Sequence, residues 1–212
     1  MAQAIFKSWF VDFEPWDGVM PEDWREDSLD AYVSFIQGTQ VPVENQITEL
    51  LDGYERFVRI VDFTSTGEAP RYIEIKPSSQ RCNESEIVMV RYGNIGLVGR
   101  RIAGVYANNL FKIKPKKHLG NNFIYYFFKQ NHIQEFIKAS STGSALPAIK
   151  HSTIGLISTN IPIGNSVRIF EEICDNMEQI IIKKYNESTN LALLRDTLLP
   201  RLMSGELSVA DI

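Results

Sequence analysis

Apolar residues near the C-terminal end fall into a helical rhythm. Phe170, Ile173, Met177, Ile180, Leu191, Leu194 and Leu198 are separated by steps of three and four, with one interruption between Ile180 and Leu191. That spacing predicts a helix from Asn165 to about Leu199 with one apolar stripe, the seam of a coiled coil. The interruption, Lys183 to Asn190, is polar, with Tyr185 its only large apolar residue. A polar break in a seam sets register and partner orientation at some cost in stability. A helix of this length runs roughly 50 Å at 1.5 Å per residue. It is too long to lie against one small domain, so it predicts pairing with another long helix.

The same rhythm opens the chain. Ile5, Phe6, Trp9, Phe10 and Phe13 share a face over residues 3–13 until Pro15 and Gly18 stop the helix. So aromatic a face must dock, and the C-terminal helix is the candidate. Pro21 to Asp30 is acidic and turn-like. From Ala31 the period shortens: Tyr32–Ile36, Phe57–Phe63, Arg71–Lys76, Glu86–Tyr92, Ile95–Arg101, Gly104–Tyr106 and Leu110–Lys114 are short β-rich runs between Gly, Asn, Pro and Ser turns. Residues 122–139 read as one or two helices with an apolar face. A Ser-rich loop follows, then a strand over Ile154–Ile161. The expected fold is α+β: one mixed, mostly antiparallel β domain with helices, a short N-terminal helix and a long C-terminal coiled-coil helix. The expected boundaries are 1–20, 21–162 and 163–212.

Composition narrows the classes. No apolar run reaches the ~18 residues of a membrane span, and no signal-peptide pattern opens the chain, so a cytoplasmic protein with no membrane contact is expected. Cys82 and Cys174 sit in unlike contexts without metal-ligand neighbours and read as reduced thiols. His118, His132 and His151 are scattered singly, so no metal site is expected. The net charge of −4 hides a partition. Residues 1–52 carry 11 acids and 2 bases, residues 53–150 carry 7 acids and 15 bases, and residues 151–212 carry 8 acids and 5 bases. A basic middle between acidic ends is the footprint of a polyanion site, and double-stranded DNA is the expected partner.

Between Arg91 and Gly120 there are seven Lys/Arg and no acid. Arg91, Arg100, Arg101, Lys112, Lys114, Lys116 and Lys117 alternate there with Tyr92, Tyr106, Asn108 and Asn109. Lys and Arg neutralise phosphates, and Arg and Asn can pair bidentately with base edges. Ser141, Thr142, Gly143 and Ser144 add hydroxyls and backbone N–H groups suited to phosphate. Gly93-x-x-Gly96-x-x-Gly99 lacks the order and the following helix of a phosphate loop and reads as a turn between strands. A competing reading is a Mg²⁺-dependent nuclease in which Asp62 and Glu74 hold the metal and Lys76 stands beside the attacking water. No Asn-Pro-Pro-Tyr or Asp-Pro-Pro-Tyr segment is present, which argues against base methylation by this chain alone.

Several stretches together resemble the specificity subunit of type I restriction–modification systems. They are Ala2–Phe13, Pro21-Glu22-Asp23-Trp24, Val90–Gly96, Ser141–Ser144, Ile161-Pro162-Ile163 and the closing Leu194–Leu207. The resemblance implies a non-catalytic protein without cofactor. Its target-recognition domain, 21–162, would read one half of a bipartite DNA site. Its conserved helices would hold a methylation subunit and, through it, a restriction subunit. A full subunit of that family has two such domains and this chain one, so it looks half-sized. That implies a homodimer, with Phe170, Ile173, Met177, Ile180, Leu191, Leu194 and Leu198 as the paired seam and the Phe6/Trp9/Phe10 face nearby. Another possibility is a truncated partner that pairs with a full-length specificity subunit.

Overall fold

A computed structural model describes residues 1–64, 67–116, 118–141 and 148–206. The chain divides into two compact units, residues 1–171 and 172–212. The N-terminal helix α1 (Ala2–Phe10) is part of the first unit. The reason is aromatic packing. Phe6 and Phe10 lie 5.2 and 5.0 Å from Phe123 in α3 (Asn121–Phe128), and 5.7 and 5.4 Å from Phe170. Phe10 also stacks on Trp24 at 5.7 Å, and Phe13 and Trp16 meet the same indole edge-on. Rings in such tilted and edge-to-face pairs gain about 0.5–1.5 kcal/mol each beyond their buried area.

Two four-stranded sheets form the middle of the first unit. One has the order β2 (Val33–Gln37), β9 (Leu110–Pro115), β6 (Ile87–Val90) and β7 (Val98–Gly99). The other has the order β4 (Arg71–Glu74), β3 (Tyr54–Val58), β8 (Gly104–Tyr106) and β5 (Arg81–Cys82). All their pairings are antiparallel except β3 with β8. Val58, Cys82 and Tyr106 of the second sheet meet Val88, Val90 and Leu110 of the first in a core from which water is excluded. Phe57, Ile73, Val105 and Ala107, on the alternate face of the second sheet, make a smaller core closed by Val41. Every residue of β6 is buried, so it shows no polar alternation.

Three local assignments differ from expectation. The Phe57–Phe63 run is strand only to Val58, and Val61–Thr64 forms a short helix, α2. The run Ile154–Ile161 splits into α5 (His151–Gly155) and β10 (Ser158–Ile161). The acidic stretch before residue 30 contains β1 (Arg25–Ser28), which pairs antiparallel with β10. Nothing in Arg-Glu-Asp-Ser favours a strand; β1 exists because a partner strand 130 residues away completes its hydrogen bonds. The 122–139 segment is two helices, α3 and α4 (Asn131–Ala139), broken by Lys129-Gln130.

The long helix, α6, runs from Ser166 to Met203, with Pro200 in its last turn. In the second unit it leaves Ile180, Ile181, Tyr185, Leu191, Leu193 and Leu194 exposed. No helix among the described residues is long and apolar enough to cross a membrane.

Candidate nucleic-acid interface

The connections at one end of the two sheets supply the polar groups. The β6–β7 turn carries Tyr92, Gly93 and Asn94; the β8–β9 turn carries Ala107, Asn108 and Asn109. Gly93 and Gly96 both take positive φ, the backbone a tight turn needs, so the glycine run is the turn expected of it. The backbone ties these loops together. Arg91 N–H donates to the Asn109 carbonyl at 2.9 Å, and Ile149 N–H to the Arg91 carbonyl at 3.2 Å.

Arg91 is half-buried. Its Nη1 donates to Gln37 Oε1 at 2.9 Å and its guanidinium lies 4.9 Å from the Tyr92 ring centre. The Gln37 amide in turn donates to the Asn108 carbonyl. His151 stacks on Phe35 at 5.4 Å and meets Phe111 edge-on at 4.6 Å. Burial and the neighbouring Arg91 cation hold its pKa below the ordinary imidazole value. Its Nε2 is buried and has no hydrogen-bond partner among the described residues.

The other cations expected to face DNA fall into two groups. Lys114, Lys116 and Arg101 are exposed. Lys116 Nζ reaches the Asp30 carbonyl at 3.2 Å, and Arg101 stands at φ 73° with its N–H on the Glu84 carbonyl at 2.8 Å. Lys112 and Arg100 are instead committed within the fold. Lys112 Nζ donates to Glu86 Oε1 and to the Arg81 carbonyl, both at 2.9 Å, with 13% of its side chain exposed. It shares the inward face of β9 with Leu110, because residues two apart on a strand point the same way. Arg100 donates to Asn122 Oδ1 at 2.6 Å and lies 4.2 Å from the Tyr125 ring centre and 5.7 Å from that of Tyr126. Ser141 Oγ donates to the Lys138 carbonyl at 2.8 Å. Lys117, Thr142, Gly143 and Ser144 lie outside the described residues.

The nuclease constellation does not assemble around a metal. Asp62, with 4% of its side chain exposed, accepts from Arg56 at 2.8 Å, from Arg59 Nη2 at 3.3 Å and from Arg59 N–H at 2.7 Å. Its oxygens already serve two guanidinium groups. Glu74 lies 3.7 Å from Lys76 at the exposed end of β4. No group of three metal-ligating side chains occurs among the described residues.

The seam residues also separate. Phe170 is fully buried in the α1–α3 aromatic cluster and cannot serve as an exposed seam position. Ile173, Met177 and Leu198 are half-buried, and Ile180, Leu191 and Leu194 are exposed.

A cleft of about 590 Å³ brings together residues the sequence does not associate. Arg59, Arg71 and Asn94 join Tyr92, Asn108 and Asn109 around it. Arg59 and Arg71 carry no sequence signal beyond their basic character, since four separate connections meet to form this wall.

The sheet pair, the flanking helices and the long terminal helix define the fold class of type I specificity subunits. The HsdS subunit from Thermoanaerobacter tengcongensis matches with a TM-score of 0.57 over 97% of this chain and 50% of its own, at 16% identity. The S subunit from M. genitalium matches with a TM-score of 0.56 over 88% and 48%, at 15% identity. Residues 35–191 match the model of the type I restriction modification DNA specificity domain, and the chain belongs to that family. Among curated relatives, the MjaIX specificity subunit of Methanocaldococcus jannaschii is 23% identical over the whole of this chain and 53% of its own length. The StySPI specificity subunit of Salmonella potsdam is 23% identical over 89% of this chain and 46% of its own. The chain thus spans about half the length of these relatives.

Proposed function

We propose that this chain is a DNA-recognition component of a type I restriction–modification assembly. The domain over residues 21–162 reads one half of a bipartite duplex site. Two copies pair through antiparallel α6 helices and so present two inverted, identical half-sites. The pair directs a methylation subunit, and through it a restriction subunit, while S-adenosylmethionine and ATP chemistry belong to those partners. The segment 163–212 serves both pairing and docking, and the assembly works in the cytoplasm.

The observation that carries this reading is the bare apolar surface of α6. Ile180, Ile181, Leu191, Leu193 and Leu194 are each more than half exposed. Large apolar side chains gathered on one exposed helix mark an interaction surface. Burying each is worth roughly 1.5–3 kcal/mol before entropy. Lys114, Lys116 and Arg101 support the DNA half of the reading as exposed cations in the acid-free stretch.

Two measurements test it. Light scattering at micromolar concentration is expected to give a dimer that Leu191→Lys converts to monomer; a wild-type monomer that the substitution leaves unchanged overturns the pairing. Modification-sensitive sequencing of DNA from cells carrying this chain with its methylation subunit is expected to show a new motif of two inverted identical halves. A motif with unlike halves favours pairing with a full-length specificity subunit.

A further inference from the structure

We propose that the rim of the 590 Å³ cleft reads base edges in the DNA major groove, with Arg71, Asn94 and Asn108 as specificity-determining side chains. This inference rests on the reading of the chain as a DNA-recognition component and gives it a location.

Charge is the first argument. The cleft is lined by two arginines and no carboxylate. Four other cavities among the described residues each carry glutamate: Glu26, Glu187, Glu44 with Glu74, and Glu86. A carboxylate on the wall repels a polyanion, and this wall alone of the five is free of one.

The second argument is which polar groups stand unengaged. Arg59 is held by Asp62, by Glu68 at 3.2 Å and by the Ala69 carbonyl at 3.0 Å. It is a fixed cation at the back of the site, and Asp62 positions it. Among the described residues Arg71 forms no ion pair, and the side-chain amides of Asn94 and Asn108 make no hydrogen bond. Both asparagines are exposed on the turns that flank the cleft. Asn109 Oδ1 beside them is buried and lacks a donor among the described residues. A base edge supplies what this set lacks. Guanine O6 and N7 accept two guanidinium N–H groups, and adenine N6 and N7 pair with a carboxamide. Val41, Phe57 and Val61 form an apolar wall that shields such bonds from water and offers contact to a thymine methyl.

The third argument is support. Four connections converge on this cleft, all anchored in sheet strands, which is where rigid scaffolds place reading residues. Ala107 N–H donates to the Val58 carbonyl at 2.9 Å and locks the β8–β9 turn onto β3.

The test is selection of a preferred duplex from a randomised pool by the full wild-type chain, followed by fluorescence anisotropy on that duplex and on random duplex. Arg71→Ala, Asn94→Ala and Asn108→Ala are each expected to lower the ratio of selected to random affinity by roughly 5- to 150-fold, the span of one lost bidentate base contact. Repeated selection with each variant is expected to relax different base positions. An unchanged ratio, or equal weakening on both duplexes in a protein with wild-type circular dichroism, overturns base reading and leaves a phosphate contact. A wild-type chain that selects no sequence refutes the recognition reading itself, and this proposal with it.

Discussion

Glu171 holds the first turn of α3 from the base of the long helix, and its removal is expected to unseat that helix. Its Oε1 accepts from Phe123 N–H at 2.6 Å, and its Oε2 accepts from Asn122 N–H and Asn122 Nδ2, both at 3.1 Å. The N-cap residue itself, Gly120, has no side chain to offer. A carboxylate at a helix N-terminus serves the orphan N–H groups and the positive end of the dipole at once. Loss of a cap costs about 1 kcal/mol, and a hydrogen bond to a charged group about 1.5–3. Because these contributions overlap, Glu171→Ala is expected to cost about 2–4 kcal/mol in all. All three tryptophans lie in the adjoining aromatic cluster, so indole fluorescence during thermal unfolding reports on this unit. The midpoint should fall by about 5–15 °C, at roughly 2–4 °C per kcal/mol. Gly120 sharpens the test. A Cβ built there lies 2.1 Å from Glu171 Cδ and 2.4 Å from each carboxylate oxygen. Gly120→Ser should therefore destabilise the wild type by expelling the carboxylate. In the Glu171→Ala background the space is open and the extended backbone at φ −98° suits a capping serine, so the same substitution should recover about 1 kcal/mol. Equal cost in both backgrounds, or a Glu171→Ala midpoint within 1 °C of wild type, refutes the carboxylate cap.

Other consequences separate packing from contact with DNA. Arg100→Ala should cost about 1–3 kcal/mol through its lost bond to Asn122 and the Tyr125 stack, whereas Arg101→Ala should reduce the slope of binding against salt by about one phosphate contact. Cys82 is buried, and desolvation, aided by nearby Glu86, pushes its pKa up to about 11. Mass-spectrometric mapping after iodoacetamide at pH 8 should find the Cys82 peptide labelled about a hundredfold more slowly than in urea, since two pKa units set the thiolate ratio. The neutral thiol is the form the fold prefers, so this contribution is complete below pH 9 and fades as pH rises through about 11. His151 works in the opposite direction: its lowered pKa means the fold prefers neutral imidazole, so stability present above the unfolded value of 6.5 is lost as pH falls below it. His151→Gln should flatten the denaturation midpoint between pH 5 and 7, and an unaltered slope would remove His151 as its source.

What could be read from the sequence, and what could not, divides along the range of the interaction. Helix α6 and its apolar stripe were legible because periodicity is local: a 3.6-residue repeat states which side chains share a face. It does not state what covers them. Phe170 and Leu194 occupy the same stripe, yet one fills the α1–α3 cluster and the other is exposed. The basic stretch was legible as composition for the same reason, and Lys112 and Arg100 show where composition stops. Glu86 and Asn122, which bind them, lie 26 and 22 residues away, and only strand pairing brings Lys112 opposite Val88, two residues from Glu86. Asp62 is the sharper case. An Asp followed by Glu-x-Lys suits a metal nuclease, but Arg56 and Arg59 precede it at a spacing that closes into ion pairs once Val61–Thr64 turns helical rather than extended. Asp62 is thereby a carboxylate that positions two arginines. The cleft follows the same logic further. Arg71, Asn94 and Asn108 are neighbours because strands from two sheets end together, a fact about register that no window along the chain contains. Recognition residues carried by loops on a β scaffold are therefore the part of such a protein least visible in its sequence, while the helices that would assemble it are the most visible.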